Sequence, residues 1–119
     1  MYKIATLNKI SPVGLAEFSD QYEIIGETDK ADGIVVRSQN MKEMTFSDDL
    51  LCIARAGVGV NNIPIDKCTE AGIAVFNTPG ANANAVKEMI IAAMLLASRD
   101  IIGGSTWSAG LTGDIANQV

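Results

Sequence analysis

Two arginines and a short glycine-rich turn offer most of the binding chemistry in this sequence. Arg37 follows a short apolar run, and Arg55 precedes a turn in which Gly57 and Gly59 flank Val58. Small residues let an anion approach the backbone N–H groups of such a turn. Guanidinium groups in turn match the geometry of carboxylate and phosphate oxygens. The pattern therefore predicts a binding site for a small organic acid.

Each arginine has a simpler interpretation, in which it only ends a strand and extends into solvent. Two arginines at equivalent strand ends, one of them joined to a Gly-x-Gly turn, favour anion binding instead. Ser38 could add a hydroxyl donor at the same place. Asn77 is expected at a strand end near the same cleft, although Pro79 and Gly80 also explain its segment as a plain turn.

The glycine-rich turn is not a dinucleotide fingerprint. A G-x-G-x-x-G motif needs a third glycine where this chain has Asn62, and an acidic residue about 20 positions further on. The corresponding strand end reads Phe76-Asn77-Thr78-Pro79, without an acid. The turn thus indicates acid binding rather than the main contact with a nucleotide.

Composition excludes several other functions. The 119 residues carry a formal net charge of −5 and no Lys or Arg cluster, which argues against a nucleic-acid partner. Histidine is absent, so the commonest acid–base group and metal ligand is missing. The spacing of Cys52 and Cys68 suggests neither zinc nor a disulfide, and we expect no metal site. Asp66, Glu70 and Glu88 are interpreted as solvated charges on helices.

The N-terminus lacks a signal peptide, because its apolar run is short and carries one charge. We therefore expect a cytoplasmic protein.

Short apolar runs alternate with amphipathic stretches along the first two thirds of the chain. This alternation predicts a parallel sheet covered by helices on both faces, in the flavodoxin-like strand order 2-1-3-4-5 with ligands at the carboxyl ends of the strands. The predicted strands are Lys3–Leu7, Tyr22–Ile25, Gly33–Val36, Leu51–Ala54 and Ile73–Phe76. The predicted helices are Pro12–Phe18, a possible short turn at Phe46–Leu50, and Ile65–Ala71.

The segment Asn82–Arg99 predicts a long helix that is apolar nearly all round. Such a helix is normally buried. Charges at Lys87, Glu88 and Arg99 leave too short an uncharged stretch for a membrane span, so we expect it to pack against a second domain or subunit. Residues 101–119 are rich in glycine and serine and are expected to start a crossover into another domain.

Three ordered motifs resemble the NAD-dependent D-2-hydroxyacid dehydrogenases, and among these the D-3-phosphoglycerate dehydrogenases most closely. The motifs are IVVRS at 34–38, IARAGVGVNN at 53–62 and GIAVFNTPGAN at 72–82. The resemblance is good over residues 1–100 and loose over 101–119. It implies a flavodoxin-like substrate-binding domain, in agreement with the alternation of strands and helices.

The resemblance also implies roles for the residues of the predicted site. Arg37 and Arg55 would line the phosphate side of the cleft, the amides of Val58 and Gly59 would hold the substrate carboxylate, and Val58 would also approach the nicotinamide. Asn77 would line the cleft, with Ser38 and Gly57 in the same substrate-binding set.

The chain departs from the family at two positions. The family usually has Asp where Asn61 stands and Ala where Lys87 stands. The family's nucleotide fingerprint and its catalytic Arg, Glu and His would lie beyond position 119, so we expect no catalytic residue here.

We therefore expect an N-terminal fragment, inactive alone, of an enzyme that oxidises 3-phosphoglycerate to 3-phosphohydroxypyruvate in serine biosynthesis. Its expected partners are the phosphorylated acid, a separate NAD-binding domain and further copies of the chain, but no membrane. Another D-2-hydroxyacid dehydrogenase and a stand-alone flavodoxin-like anion-binding module are the alternatives. A phosphoacceptor module is disfavoured, because the strand ends at Asn8-Lys9 and Arg37-Ser38 lack acids.

Overall fold

The computed structural model describes residues 1–117, and the chain divides into two compact units, Met1–Ala81 and the part from Asn82 onward. The first unit contains five strands and two α-helices. Its elements are β1 (Tyr2–Leu7), α1 (Pro12–Leu15), β2 (Tyr22–Ile25), a 3-10 turn (Thr28–Lys30), β3 (Gly33–Val36), β4 (Cys52–Arg55), α2 (Ile65–Glu70) and β5 (Ala74–Phe76). The second unit contains α3 (Ala83–Ser98), α4 (Ile101–Ala109) and a 3-10 turn (Ile115–Asn117).

The five strands form one parallel sheet in the order β2-β1-β3-β4-β5. The predicted flavodoxin-like strand order is confirmed. All carboxyl ends of the strands lie at one edge of the sheet, because every pair is parallel. Segments that follow β1, β3, β4 and β5 therefore meet at that edge.

The core lies against one face of the sheet. Ile34, Val36 and Ile53 point to this face because alternate residues of a strand share a side, and each is at most 1% exposed. Met41 and Cys68 cover them from the connecting segments and are fully buried. Burial of one such aliphatic side chain contributes about 1.5–3 kcal/mol, so this layer fixes the strands that end at the predicted site.

Four elements shift by one residue at an end: β1 begins at Tyr2, β4 at Cys52 and β5 at Ala74, and α2 ends at Glu70. Two predicted helices differ more. α1 ends at Leu15 rather than at Phe18, since the amides of Glu17 and Phe18 bond back three residues instead of four and tighten the chain into a turn. In the segment 46–50 no helix forms. There the amide of Leu50 bonds to the carbonyl of Ser47, which makes a single turn.

The glycine predicted to end α2 does so. Gly72 has a φ of +71°, a conformation in which a side chain would be strained. The amide of Ile73 then bonds to the carbonyl of Cys68 and directs the chain into β5.

α3 lies where the long apolar helix is predicted, but its side chains are exposed. Met89 is 69% exposed and Met94 is 67% exposed. Residues 1–117 thus do not supply the burial expected for this helix, and its packing against a second domain or subunit stays a prediction. The domain boundary expected near position 100 also stays a prediction. Across the described residues, no helix combines the length and the apolar character needed to cross a membrane.

Candidate functional site

The two arginines of the predicted site lie at the same edge of the sheet. Arg55 pairs with Val36 across β3 and β4, and Arg37 is the next residue after β3. The amide of Ala56 donates to the carbonyl of Val36 at 2.8 Å, which carries the pairing one step beyond the strand. Strand β4 therefore includes Arg55, whereas its apolar pattern predicted an end at Ala54.

The Arg55 side chain is half-buried and turns back over the glycine-rich turn. Its Nη1 donates to the carbonyl of Gly59 and, at 3.3 Å, to Oδ1 of Asn61. A Cβ atom on Gly57 would lie 3.3 Å from Nε of Arg55, and one on Gly59 would lie 3.2 Å from Nη1. The two glycines thus leave room for the guanidinium to pack closely on the backbone, and neither has a positive φ.

The segment after β5 holds two carbonyls of the turn. The amide of Thr78 donates to the carbonyl of Gly57 at 2.9 Å, and Nδ2 of Asn77 donates to the carbonyl of Val58 at 2.9 Å. Because a trans peptide is planar, its N–H points opposite to its C=O. The N–H groups of Val58 and Gly59 consequently face away from Asn77 and Thr78, and within residues 1–117 neither has an acceptor.

The Arg37 segment is fixed by two asparagines. Oδ1 of Asn8 accepts the amides of residues 37–39, and Nδ2 of Asn62 donates to the carbonyls of Arg37 and Gln39. The Arg37 side chain is exposed, and its Nη1 makes one long contact of 3.4 Å with the carbonyl of Lys9. Ser38 is exposed beside it.

The edge offers positive charge to an anion. Among the described residues an ion pair joins Lys30 to Glu27, and neither Arg37 nor Arg55 takes part in one. Nε of Arg55 is buried without an acceptor. Two guanidinium groups and two free amides therefore surround the same edge, although no hydrogen bond in the described chain joins the guanidinium groups.

The remaining candidate groups support no other chemistry. Burial raises the pKa of the Cys52 and Cys68 thiols, which keeps both neutral. Asp66, Glu70 and Glu88 are exposed as expected. The residues that the structure describes contain no group of His, Cys, Asp and Glu able to hold a metal ion.

Sequence reasoning missed three residues of this edge: Asn8, Asn62 and Thr78. Asn8 carries a usable signal, since an asparagine directly after a predicted strand is a residue type that tolerates positive φ, and its φ is +71°. Asn62 and Thr78 carry no such signal. Their partners lie 25 and 21 positions away in the chain, so only the fold reveals them.

Comparisons with known proteins show which family the chain belongs to. Residues 2–112 match the model of the D-isomer specific 2-hydroxyacid dehydrogenase family, catalytic domain. A D-3-phosphoglycerate dehydrogenase of Archaeoglobus fulgidus is 45% identical over 82 residues, which cover 66% of this chain and 16% of that protein. A hydroxypyruvate reductase of Thermotoga maritima is 36% identical over 98 residues, which cover 80% of this chain and 32% of that protein.

A solved structure shows the same likeness. The crystal structure of an NAD⁺-bound 3-phosphoglycerate dehydrogenase of Entamoeba histolytica matches with a TM-score of 0.69 and 28% identity, over 80% of this chain and 38% of that one. The chain thus spans less than two fifths of the length of each of these three relatives. The resemblance seen in the three motifs is confirmed: this chain belongs to the D-isomer specific 2-hydroxyacid dehydrogenase family.

Proposed function

We propose that this chain is the substrate-binding portion of a cytoplasmic, NAD-dependent D-3-phosphoglycerate dehydrogenase. The whole enzyme would oxidise 3-phosphoglycerate to 3-phosphohydroxypyruvate in serine biosynthesis. In this proposal the chain binds and orients the acid, while the catalytic groups and most of the nucleotide site belong to a further domain. The absence of histidine supports this division, because the substrate hydroxyl needs a base to take its proton.

One observation carries the proposal: the adjacent amides of Val58 and Gly59 have no acceptor within residues 1–117, while the carbonyls before them are held. Two neighbouring N–H groups fixed in direction suit the two oxygens of a carboxylate. The two amides are already oriented before the ligand binds, so binding loses little conformational entropy in the turn. We assign the substrate carboxylate to these amides.

We assign the phosphate to Arg37 and Arg55. Neither guanidinium is neutralised by a carboxylate within residues 1–117, and both lie at the edge that holds the free amides. Arg55 has a second task, because its contact with Gly59 also shapes the turn. Ser38, next to Arg37, would add a hydroxyl donor to the same phosphate.

The residues present fit only the reactive end of NAD. The family resemblance assigns Val58 to the nicotinamide ring, and the 64% exposure of its apolar side chain leaves it available for that contact. When bound, NAD would accept the hydride that leaves C2 of the substrate. The only Gly-x-Gly of the chain lacks a fingerprint's third glycine and its acid, so we place the rest of the nucleotide on the further domain.

The test is a titration of the chain with 3-phosphoglycerate and with D-glycerate, followed by amide chemical shifts. Both acids should move the Val58 and Gly59 amides, with dissociation constants in the millimolar range, roughly 4 kcal/mol of binding free energy. A charge-assisted hydrogen bond contributes about 1.5–3 kcal/mol, which solvent reduces at the exposed Arg37. Arg37→Ala should therefore weaken 3-phosphoglycerate binding and spare D-glycerate. Arg55→Ala should weaken both, and 3-phosphoglycerate more.

Arg99→Ala is the matched control, because Arg99 is an exposed arginine that directly follows α3. It should change neither affinity. Equal losses for the two acids in both site variants would show that the arginines do not recognise the phosphate.

A second candidate is a dehydrogenase for another D-2-hydroxy acid. The likeness to the hydroxypyruvate reductase of Thermotoga maritima favours it. In that case the same amides would bind the carboxylate, and the titration would show no preference for the phosphorylated acid.

A further inference from the structure

The backbone of Arg37–Gln39 is held from one side by Asn8. Oδ1 of Asn8 accepts three consecutive amides, those of Arg37 at 3.2 Å, Ser38 at 2.9 Å and Gln39 at 2.9 Å. Three successive N–H groups that converge in this way make a concave site for a negative atom. The asparagine oxygen already fills it, so these amides are not free to bind a ligand.

Asn62 holds the same segment from the other side. Its Nδ2 donates to the carbonyl of Arg37 at 3.3 Å and to that of Gln39 at 2.8 Å. Its own carbonyl accepts the amide of Met41 at 2.8 Å, which ties the end of the segment to the glycine-rich turn. Two carbonyl acceptors require a donor, so the amide nitrogen of Asn62 must face them.

The side chain of Arg37 has little to hold it. Among the described residues its one hydrogen bond, from Nη1 to the carbonyl of Lys9, is 3.4 Å long, and the residue is exposed. The direction in which its guanidinium is presented therefore depends on the backbone that carries it.

We propose that Asn8 and Asn62 are positioning residues for the phosphate end of the site. They clamp the Arg37–Gln39 backbone between an acceptor and a donor and so fix where Arg37 presents its charge. The functional part of this inference rests on the proposed function, because it takes Arg37 to bind the substrate phosphate.

Asn8 acts as an acceptor and Asn62 as a donor, so replacement by aspartate should affect the two positions differently. Asn8→Asp keeps an oxygen that accepts the three amides, and aspartate also tolerates positive φ. Asn62→Asp removes the donor and places a carboxylate against two carbonyls. Asn8→Gly removes the acceptor without strain, since glycine suits the φ of +71° at that position.

The experiment measures two properties of the chain and its variants by NMR. The first is the conformation of the clamp, reported by hydrogen exchange of the Ser38 and Gln39 amides and by the carbonyl shifts of Arg37 and Gln39. The second is the preference for 3-phosphoglycerate over D-glycerate, as a ratio of dissociation constants. If the asparagines had a purely structural role, their replacement would lower the folded fraction and weaken binding of both acids equally, so the ratio would stay unchanged.

Asn8→Gly should speed exchange of the two amides at least about tenfold, equivalent to roughly 1.4 kcal/mol, and should reduce the preference. Asn8→Asp should retain slow exchange and the preference. Asn62→Asp should shift the two carbonyl signals and reduce the preference. Asn40→Asp is the control for charge, since within residues 1–117 the one hydrogen bond of the Asn40 side chain is accepted from the amide of Lys42, and it should leave both properties unchanged.

Unchanged exchange in Asn8→Gly, or unchanged carbonyl shifts in Asn62→Asp, would overturn the clamp. If exchange or the carbonyl shifts change while the preference for 3-phosphoglycerate does not, the proposal that the clamp positions Arg37 is wrong. If the unsubstituted chain shows no preference for 3-phosphoglycerate, the proposed function fails instead, and exchange and carbonyl shifts still decide the clamp.

Discussion

Replacement of Asn77 by alanine should weaken binding of every 2-hydroxy acid by a similar factor. Within residues 1–117, the Asn77 amide is the only side-chain group that donates to the carbonyl of Val58, across 19 positions of sequence. Its loss frees the peptide that ends in the N–H of Gly59, one of the two amides assigned to the substrate carboxylate. The phosphorylated and unphosphorylated acids share that carboxylate, so both should lose affinity together.

The size of the effect follows from the bond that is lost. A neutral hydrogen bond contributes about 0.5–1.5 kcal/mol net, which corresponds to a change in dissociation constant of roughly 2- to 13-fold. Asn77 is exposed and water can replace its amide in part, which favours the lower half of that range. Thr78 still holds the carbonyl of Gly57, so the turn should stay folded.

The assay is the same titration with 3-phosphoglycerate and D-glycerate, with Asn84→Ala as the control. Asn84 is an exposed asparagine of α3 whose amide bonds to Glu88. A loss confined to 3-phosphoglycerate would refute the reasoning, because it would place Asn77 at the phosphate. Unchanged binding of both acids would also refute the reasoning, because the turn would then need no hydrogen bond from Asn77.

Four further outcomes are expected. The chain alone should not reduce NAD with 3-phosphoglycerate, since it has no histidine and no nucleotide fingerprint; NADH formation above a blank would contradict this. The chain should self-associate through the exposed apolar side chains of α3, because soluble monomers rarely expose such a patch. Met89→Glu should shift the sedimentation coefficient towards that of the monomer, and an unsubstituted chain that sediments as a monomer would contradict self-association. Gly72→Ala should lower the free energy of unfolding by about 1–2 kcal/mol through its positive φ, with Gly72→Asn less costly, as urea unfolding can measure. Burial raises the pKa of the Cys52 and Cys68 thiols, so the native state holds these protons more tightly. The free energy of unfolding should therefore be highest below the ordinary thiol pKa and fall as the pH rises above it. Iodoacetamide should modify the fully buried Cys68 more slowly than Cys52; equal rates for the two thiols would contradict this.

The sheet was predictable because its strands are short apolar runs bounded by turn residues. The strand Gly33–Val36 has the same bounds in the sequence pattern and in the structure. The error at β4 has a clear origin: hydropathy ends the strand before a charged residue, whereas the backbone of Arg55 still pairs with Val36. Hydropathy also cannot show that the turn after Leu15 bonds back three residues rather than four.

The site was predictable only where residue type reveals chemistry. Arginines and a Gly-x-Gly turn are visible in the sequence, so an anion-binding edge could be proposed in advance. The division into a phosphate end and a carboxylate end came from the family resemblance and stays a prediction. The structure adds that the glycines make room for Arg55 itself. It also adds the supports, namely Asn8, Asn62 and Thr78, whose partners are distant in the chain and which resemble ordinary turn residues until the strands are aligned.

The free amides of Val58 and Gly59 have a consequence for how the substrate range of such a protein can change. On the proposed assignment, the group common to all 2-hydroxy acids is bound by main-chain N–H groups, which almost any residue supplies. The group that distinguishes 3-phosphoglycerate is bound by two arginine side chains. Replacement of Arg37 could therefore remove much of the phosphate requirement, whereas the requirement for an acid would survive side-chain changes in the turn that keep the close packing of Arg55 on Gly57 and Gly59. Mutations can thus change which group is bound at one end of the substrate while the carboxylate at the other end is still bound.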